Sequence, residues 1–329
     1  MSASRALALP TAEGWQSSLE TALRQVRTQA RAILGKGSKS FALAGMLLGK
    51  RARDDAAVLY AWCRQADDVI DEAGPGEAAS ALQTLRRKLD DLFAGRVRAP
   101  LDIALSELIA RRQIPKDYFQ ALLDGFAMDA RGARYRLLAD LDLYGYRVAG
   151  VVGLMMCHVL GVCDERCLKA AAHLGMAMQL TNIARDVVED FRRDRQYLPT
   201  MLLSAEELGD AMRAEAQSLS RRHVAAAVEA LLRRADRLYA SGLSGLRELG
   251  WRDALAIGAA ARIYRGIGRV LARRGFDSLR GRAVVSLPRK LWAAAEAAAV
   301  LLLQIPRRLR SRAVAKVPNL LVRFDDVQT

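Results

Sequence analysis

The chain has 329 residues, of which 52% are hydrophobic and 26% are charged, and its formal net charge is +15. This length and apolar content suffice for a large buried core, and an aromatic content of only 6% argues against a protein built mainly from β-sheet. Its 4 cysteines are too few and too irregularly spaced for a disulfide framework, and the first residues do not predict a signal peptide.

The predicted secondary structure is helical from one end of the chain to the other. Apolar residues recur at spacings of three and four, and no segment sustains the two-residue alternation of a half-buried strand. Short segments rich in Gly, Pro and Ser separate the helices, and none is a long flexible linker, so we expect a single all-α domain. The predicted helices are, in chain order, 17–34, 41–48, 53–72, 78–94, 100–111, 116–128, 140–161, 165–192, 205–213, 217–241, 252–274 and 287–304.

The first chemically distinctive segment is GSKSF, residues 37–41. Ser38, Lys39 and Ser40 stand there at the predicted start of a helix. Two hydroxyls and an ammonium beside the free backbone N–H groups of a helix start suit an anion, although an ordinary helix N-cap accounts for the same residues.

The helix predicted over 53–72 carries an acidic face. In LYAWCRQADDVIDE, residues 59–72, polar side chains fall at helical spacing on one stripe and apolar side chains fill the other faces. The residues of this stripe are Tyr60, Arg64, Asp67, Asp68 and Asp71. Taken alone, a solvated surface helix explains the stripe about as well as a binding site does.

A second acidic face follows in QLTNIARDVVEDFRRDRQYLP, residues 179–199. Asn182, Asp186 and Asp190 recur every four residues, so they share one side of a helix and rise by about 6 Å from one to the next. Carboxylates placed this way repel one another unless water or cations lie between them. Since both acidic faces belong to otherwise apolar helices, we interpret them as facing each other across a cavity. Mg²⁺ suits this arrangement, because it binds carboxylate oxygens and bridges to phosphate oxygens.

The C-terminal region is strongly basic. From Arg262 to the last residue the chain holds 15 basic and 4 acidic residues, and 307–316 holds five basic residues and no acidic one. Apolar residues are interleaved with arginines over 289–323, which is typical of a helix resting on anionic lipid, although a solvated basic helix fits the same pattern. Nucleic acid is the rival anionic partner, but we expect none because no recognition motif is present. The apolar run 291–305 is too short to span a bilayer comfortably.

Several segments, in this order along the chain, resemble the squalene/phytoene synthase family of head-to-head prenyl-diphosphate condensing enzymes. The matching segments are GSKSFALAGMLL (37–48), LYAWCRQADDVIDE (59–72), YGYRVAGVVGLMM (144–156), LGMAMQLTNIARDVVEDFRRDRQYLP (174–199), AARIYRGIG (260–268) and RAVVSLPRKL (282–291). The resemblance implies a single-domain isoprenoid synthase bundle around a central hydrophobic cavity. The implied catalytic domain spans 31–292, between an N-terminal segment, 1–30, and a basic amphipathic tail, 293–329.

The resemblance also implies roles for individual residues. Asp67 and Asp71 would form one catalytic Mg²⁺-diphosphate motif, with Tyr144 lining the site. The second motif would consist of Asn182, Asp186 and Asp190. The residues implied to contact substrate are Ser38, Lys39, Ser40, Arg64, Asn182, Arg193, Arg195, Tyr264 and Arg282. Asp194 stands where the family often has a small or neutral residue.

Glycines raise two further hypotheses. Gly45 follows Ala42 and Ala44, and we expect these small residues to leave depth for a long prenyl chain. Gly150 and Gly153 lower helix propensity by roughly 1 kcal/mol each relative to Ala, so they serve either close helix packing or room for substrate.

The implied reaction is a Mg²⁺-dependent condensation of two geranylgeranyl diphosphates to phytoene through prephytoene diphosphate, in carotenoid biosynthesis, with Mn²⁺ as an alternative ion. One alternative is a C15-using relative that makes dehydrosqualene, presqualene diphosphate or squalene. We expect no NADPH, which squalene formation would need. A non-enzymatic alternative is a basic helical scaffold that binds membranes or nucleic acid. We expect a cytoplasmic protein in peripheral contact with the inner face of an anionic membrane, and leave its oligomeric state open, with a monomer as one option.

Overall fold

The computed structural model describes residues 12–74, 76–162, 164–215, 218–303 and 321–328, and every regular element within these ranges is helical. The all-α fold expected from the apolar spacing is therefore confirmed. The α-helices are α1 (Ala12–Gly37), α2 (Lys39–Gly45), α3 (Lys50–Asp71), α4 (Ala78–Phe93), α5 (Pro100–Arg112), α6 (Lys116–Ala130), α7 (Leu138–Gly145), α8 (Val151–Leu160), α9 (Glu165–Arg185), α10 (Val187–Arg192), α11 (Ala205–Arg213), α12 (Leu219–Ser244), α13 (Trp251–Arg273), α14 (Leu287–Leu303) and α15 (Phe324–Gln328).

The central helix of the bundle is α9, and α7, α8, α12 and α13 pack around it. Its buried residues lie on all sides, as expected for a helix surrounded by protein. The approach of α8, and of the residues just before it, is especially close: a Cβ at Gly153 would lie 2.3 Å from the carbonyl oxygen of Ala171, and one at Gly175 would lie 2.2 Å from that of Ala149. Of the two roles considered for Gly153, the structure therefore supports close helix packing.

The segment predicted as one helix over 140–161 is interrupted. A turn of π-helix, Tyr146–Gly150, joins α7 to α8 and begins two residues after Tyr144. The stretch Leu138–Leu160 is long and apolar enough to span a membrane by length and composition, with a hydropathy of 1.4, but 56% of its most apolar window is buried inside the protein. Because that burial comes from packing against neighbouring helices, we interpret this stretch as part of the core.

The second acidic segment also departs from prediction, because the helix expected over 165–192 is broken. Its first part, α9, ends at Arg185, and α10 begins at Val187. Between them Asp186 has φ −102° and ψ 20°, outside the regular helical conformation. The stripe of Asn182, Asp186 and Asp190 therefore bends at its middle carboxylate.

The C-terminal end of the chain is held against the bundle. The buried residue Val322 accepts a hydrogen bond from Tyr146 Oη at 2.8 Å and donates one to Tyr118 Oη at 3.2 Å. Val327 is buried as well, and its carbonyl oxygen lies 2.8 Å from Nε2 of His173. These contacts attach residues 321–328 of the predicted basic tail to the bundle. The basic run 307–316 lies outside the described residues.

Candidate active site

The start of α2 joins α13 at one side of the site. Ser38 is the N-cap of α2, and its Oγ accepts a hydrogen bond from the backbone N–H of Phe41 at 3.2 Å. The same Oγ lies 3.4 Å from Tyr264 Oη on α13, and the rings of Phe41 and Tyr264 stack with centroids 4.9 Å apart. Ser38 is thus both the cap foreseen for GSKSF and a contact to a predicted site tyrosine. Lys39 is exposed and Ser40 is half-buried.

The acidic face of α3 is partly neutralised by its own arginine. Arg64 pairs with Asp67 at 3.1 Å and with Asp68 at 2.5 Å. Asp71, the last residue of α3, lies one turn further on and is more buried than either of them. These contacts keep the guanidinium at the edge of the acidic face.

The segment that follows the second acidic motif reaches the first motif at Asp71. Arg195 Nη2 lies 2.7 Å from Oδ1 of Asp71, and Arg193 Nη1 lies 3.2 Å from its Oδ2. Asp194, between them, has φ 55°, in the left-handed region that Asp tolerates better than most side chains. This turn exposes Asp194 while both of its arginine neighbours reach α3. The structure thus brings both predicted arginines to the first motif.

In the second motif, the carboxylate of Asp186 contacts two arginines. Its carboxylate accepts hydrogen bonds from Arg185 Nε, at 2.8 Å, and from Arg185 Nη2, and it lies 3.1 Å from Arg282 Nε. Arg282 was predicted as an anion contact, and the structure places it at this carboxylate. Arg185 was missed, because its position next to Asp186 in sequence carries no periodic signal.

A further carboxylate, that of Asp129 of α6, lies in the acidic region and was not predicted. It accepts hydrogen bonds from Tyr144 Oη at 2.9 Å and from Tyr197 Oη at 2.7 Å. Its negative charge contributes to raising the pKa of both Asp67 and Asp190, so it lies within electrostatic reach of both motifs. One sequence signal was available, since Asp129 is an acidic residue on a largely apolar helix.

Within each motif, neighbouring carboxylates lie close enough for one to raise the pKa of another. Burial, followed by the charge of Asp71, raises the pKa of Asp67 to about 6. Burial, followed by the charge of Asp186, raises the pKa of Asp190 to about 7. Both shifts indicate that the ionised forms lack full compensation from their surroundings, which favours a cationic ligand at each motif.

An unpaired amide oxygen tests whether these residues fit a metal. Asn182 Oδ1 is buried and has no hydrogen-bond partner among the residues that the structure describes, while Nδ2 of the same side chain donates to Gln179 Oε1 at 3.4 Å. A buried oxygen without a partner is costly and is a suitable ligand for Mg²⁺. Within the described ranges no three His, Cys, Asp or Glu side chains converge on one point. That is compatible with Mg²⁺, which usually takes one or two carboxylates and completes its shell with water and substrate phosphate. The donor set therefore fits.

A separate cavity lies behind α3. It has a volume of about 310 Å³ and is lined by residues that include Trp62 and Val69 of α3 and Lys88 of α4. Trp62 and Val69 project from the side of α3 opposite to Asp67, so this cavity is distinct from the acidic site.

The helical bundle and its two acidic motifs define an isoprenoid synthase fold. A crystal structure of a dehydrosqualene synthase in complex with a ligand is similar to this chain with a TM-score of 0.76 and 30% identity, covering 86% of this chain and 99% of that one. The family model of squalene/phytoene synthase matches residues 34–289. The chain belongs to the squalene/phytoene synthase family.

Two curated relatives extend the comparison. The phytoene synthase of Rhodobacter capsulatus is 41% identical over 270 residues, which are 82% of this chain and 79% of that protein. The 15-cis-phytoene synthase of Paracoccus sp. is 40% identical over 274 residues, which are 81% of this chain and 88% of that protein. The family expected from the sequence motifs is confirmed. The domain limits and the roles of individual site residues stay predictions.

Proposed function

We propose that the protein is a prenyltransferase that condenses two geranylgeranyl diphosphates head to head. The product is phytoene, formed through prephytoene diphosphate with release of two diphosphates, in carotenoid biosynthesis. The observation that carries this proposal is the contact of Arg193 and Arg195, just after the second acidic motif, with Asp71 of the first motif, in a chain about 40% identical to proteins named phytoene synthase.

The residues that would hold Mg²⁺, or Mn²⁺ in its place, are Asp67, Asp71, Asn182, Asp186 and Asp190. When bound there, the ions would neutralise the charge of the leaving diphosphate. The unpaired Asn182 oxygen and the raised pKa values of Asp67 and Asp190 support this assignment.

The arginines of the site have a second use in this proposal. Arg195 forms an ion pair with Asp71, and Arg282 forms one with Asp186. Each of these two carboxylates therefore has a cationic partner in the absence of substrate. If Mg²⁺ took the place of these arginines at Asp71 and Asp186, the guanidinium groups would be free to donate to diphosphate oxygens, a geometry that suits them. Arg193 and Arg64, which are also paired with acids of α3, would act in the same way.

The tyrosines orient the site and exclude water. Burial is the main cause that raises the pKa of Tyr144. Its phenol therefore stays protonated, and the O–H donates a hydrogen bond to Asp129. The ring of Tyr144 stacks against that of Tyr197 with centroids 5.1 Å apart, which fixes its orientation. An aromatic face held this way can stabilise a carbocation, and we assign the same role to the buried ring of Tyr264.

The best supported alternative uses C15 substrates, because the dehydrosqualene synthase structure is 30% identical to this chain. Purified protein with Mg²⁺ and either geranylgeranyl or farnesyl diphosphate, with and without NADPH, distinguishes the two by product mass. We expect phytoene, formed without NADPH. Conversion of farnesyl diphosphate alone would replace the proposal by the C15 alternative. Absence of any turnover would favour the non-enzymatic scaffold.

The metal-binding roles have a direct test. Asp67→Ala and Asp186→Ala should each lower turnover by about three orders of magnitude or more, because each removes charge stabilisation worth several kcal/mol, while circular dichroism stays helical. Asp68→Ala is the matched control, since Asp68 is a neighbouring acid that we give no role in metal binding. Full activity in either of the first two variants would refute the assigned roles.

The basic composition and the lipid nature of substrate and product support peripheral contact with the inner face of an anionic membrane, with the protein otherwise in the cytoplasm.

A further inference from the structure

The outward side of α14 is an apolar stripe that no described part of the chain covers. Leu287, Leu291, Ala295, Ala299 and Leu303 recur every four residues, and all five are exposed. Trp292 and Leu302 flank the stripe and are exposed to 73% and 65%. We call these seven residues the α14 face. Exposed large apolar side chains grouped in this way mark an interaction surface.

The opposite side of α14 is packed against α13. Ala293 and Ala297 are buried there, and Glu296 lies 3.6 Å from Nε of Arg262. A Cβ at Gly258 of α13 would lie 3.6 Å from Ala297, so the two helices are in direct contact. The helix is therefore fixed to the body, and the α14 face is a built surface of the folded protein.

Charge indicates what this surface binds. Arg289 is exposed at the first turn of α14 and Lys290 is half-buried beside it. The single acidic residue of α14, Glu296, is turned to Arg262 on the packed side. An apolar stripe flanked by basic residues and free of carboxylates is typical of a helix lying in the interface of an anionic bilayer, with Trp at headgroup depth.

The position of α13 extends the same surface. Gly258 and Arg262 of α13 meet Ala297 and Glu296 of α14, whereas Gly266, further along α13, lies near Val285, just before α14 begins. The two helices are therefore antiparallel, and the first residue of α13, Trp251, lies towards the end of α14 that carries Leu303. Trp251 is exposed to 66%, and Arg252 lies over its ring at 5.3 Å.

We propose that the α14 face docks in the plane of an anionic membrane surface and so delivers the active site to its lipid substrates. This inference rests on the membrane contact proposed above and names the element that makes it. At 17 residues α14 is about 25 Å long, so it lies along a bilayer and does not cross it. Docking also places the site near the lipid, because Arg282, which contacts Asp186, precedes α14 by only five residues.

Vesicle co-sedimentation of the full chain tests the proposal. Wild-type protein should bind vesicles of phosphatidylglycerol and phosphatidylcholine more tightly than vesicles of phosphatidylcholine alone. Leu291→Glu/Trp292→Glu should weaken binding to the mixed vesicles at least about tenfold, since it removes two apolar side chains from the interface. Leu219→Glu on α12 is the matched control, because Leu219 is about as exposed as Leu291 but lies outside the α14 face. This variant should bind vesicles as wild type does.

Several outcomes would overturn the inference. One such outcome is that the wild-type protein binds neither kind of vesicle. Another is that the double variant binds the mixed vesicles as tightly as wild type does. Either result would show that the α14 face does not bind membranes. A wild-type dimer in light scattering that becomes monomeric in the double variant, with unchanged vesicle binding, assigns the face to a second copy of this chain. The double variant should still turn over detergent-dispersed geranylgeranyl diphosphate. Loss of turnover in wild type with vesicle binding intact contradicts only the proposed reaction.

Discussion

Asp190 shows at the scale of one residue how the acidic site is held ready for cations. Its pKa is raised to about 7 by burial and by the charge of Asp186, well above the value of about 4 of an unfolded aspartate. A carboxyl group with a raised folded pKa destabilises the folded state at a pH above that pKa, and the penalty shrinks as the pH falls towards the unfolded value. The metal-free site therefore carries strain at neutral and alkaline pH.

Asp190→Asn should relieve this penalty. In EDTA we expect the variant to melt at a higher temperature than wild type at pH 8.5, and we expect a clearly smaller difference at pH 5. Differential scanning calorimetry at the two pH values measures this, with the exposed Asp194→Asn as control. A gain that is equal at both values would mean that the charge of Asp190 is not its cause.

Gly45 provides a test of chain-length selection. It follows Phe41 by four residues on α2, so it lies on the side of α2 that meets Tyr264, and a Cβ there would meet no atom within 4 Å. Gly45→Phe should fill this space and lower kcat/KM for geranylgeranyl relative to farnesyl diphosphate, by about tenfold or more. Gly49→Phe, at another open glycine outside α2, is the control. An unchanged substrate ratio would reject the depth assigned to this side of α2.

At the scale of elements, the contact between α8 and α9 decides how closely the core closes around the site. Gly153 faces the backbone of Ala171 at a distance that leaves no room for a methyl group. The helices that carry Tyr144 and Asn182 are held together by this contact, because α7 continues into α8 through the π turn and α9 ends beside Asp186. Irregular helix geometry thus occurs next to both groups of site residues, as it often does at functional sites.

Gly153→Ala should destabilise the protein by about 1–3 kcal/mol, because the backbone it would strike cannot rotate away. The same change at Gly209 on α11 meets only the flexible Arg213 side chain at 3.6 Å, and should stabilise by up to about 1 kcal/mol through helix propensity. Urea unfolding of both variants measures the change in the free energy of unfolding, which should have opposite signs in the two. Equal effects would show that α8 can move away from α9 at little cost.

At the scale of the whole molecule, residues 321–328 bring the end of the chain back to the bundle. Tyr146 and Tyr118 bond both backbone groups of Val322, and the ring of Phe324 lies 5.5 Å from that of Tyr146. Val322 and Phe324 come after residue 289, where the match to the family model ends. They attach this C-terminal segment to helices of the catalytic bundle.

Tyr146→Phe should lower stability by about 1–3 kcal/mol, because it leaves the buried carbonyl of Val322 without its donor. Tyr135→Phe is the matched control, since the buried Tyr135 hydroxyl has no hydrogen-bond partner among the described residues. Thermal melts and digestion with carboxypeptidase should show earlier unfolding and faster trimming only for Tyr146→Phe. Equal behaviour of the two variants would mean that the segment is held by its apolar contacts alone.

The sequence by itself determined those features that depend on residues a few positions apart. Apolar spacing predicted nearly every helix, and the four-residue spacing of Asn182, Asp186 and Asp190 located a candidate motif within residues 34–289, the range that the family model matches. Both follow from helix geometry, which acts over one or two turns. The Ser38 cap was readable for the same reason.

The tertiary structure alone decided which groups meet across the chain. Arg195 reaches Asp71 from 124 positions away, Asp129 lies within electrostatic reach of both acidic motifs, and Tyr146 bonds Val322 across 176 positions. The break at Asp186 and the exposure of the α14 face belong to the same group of findings. Such contacts depend on how whole helices pack against one another, and no periodicity within one segment encodes the position of a distant partner.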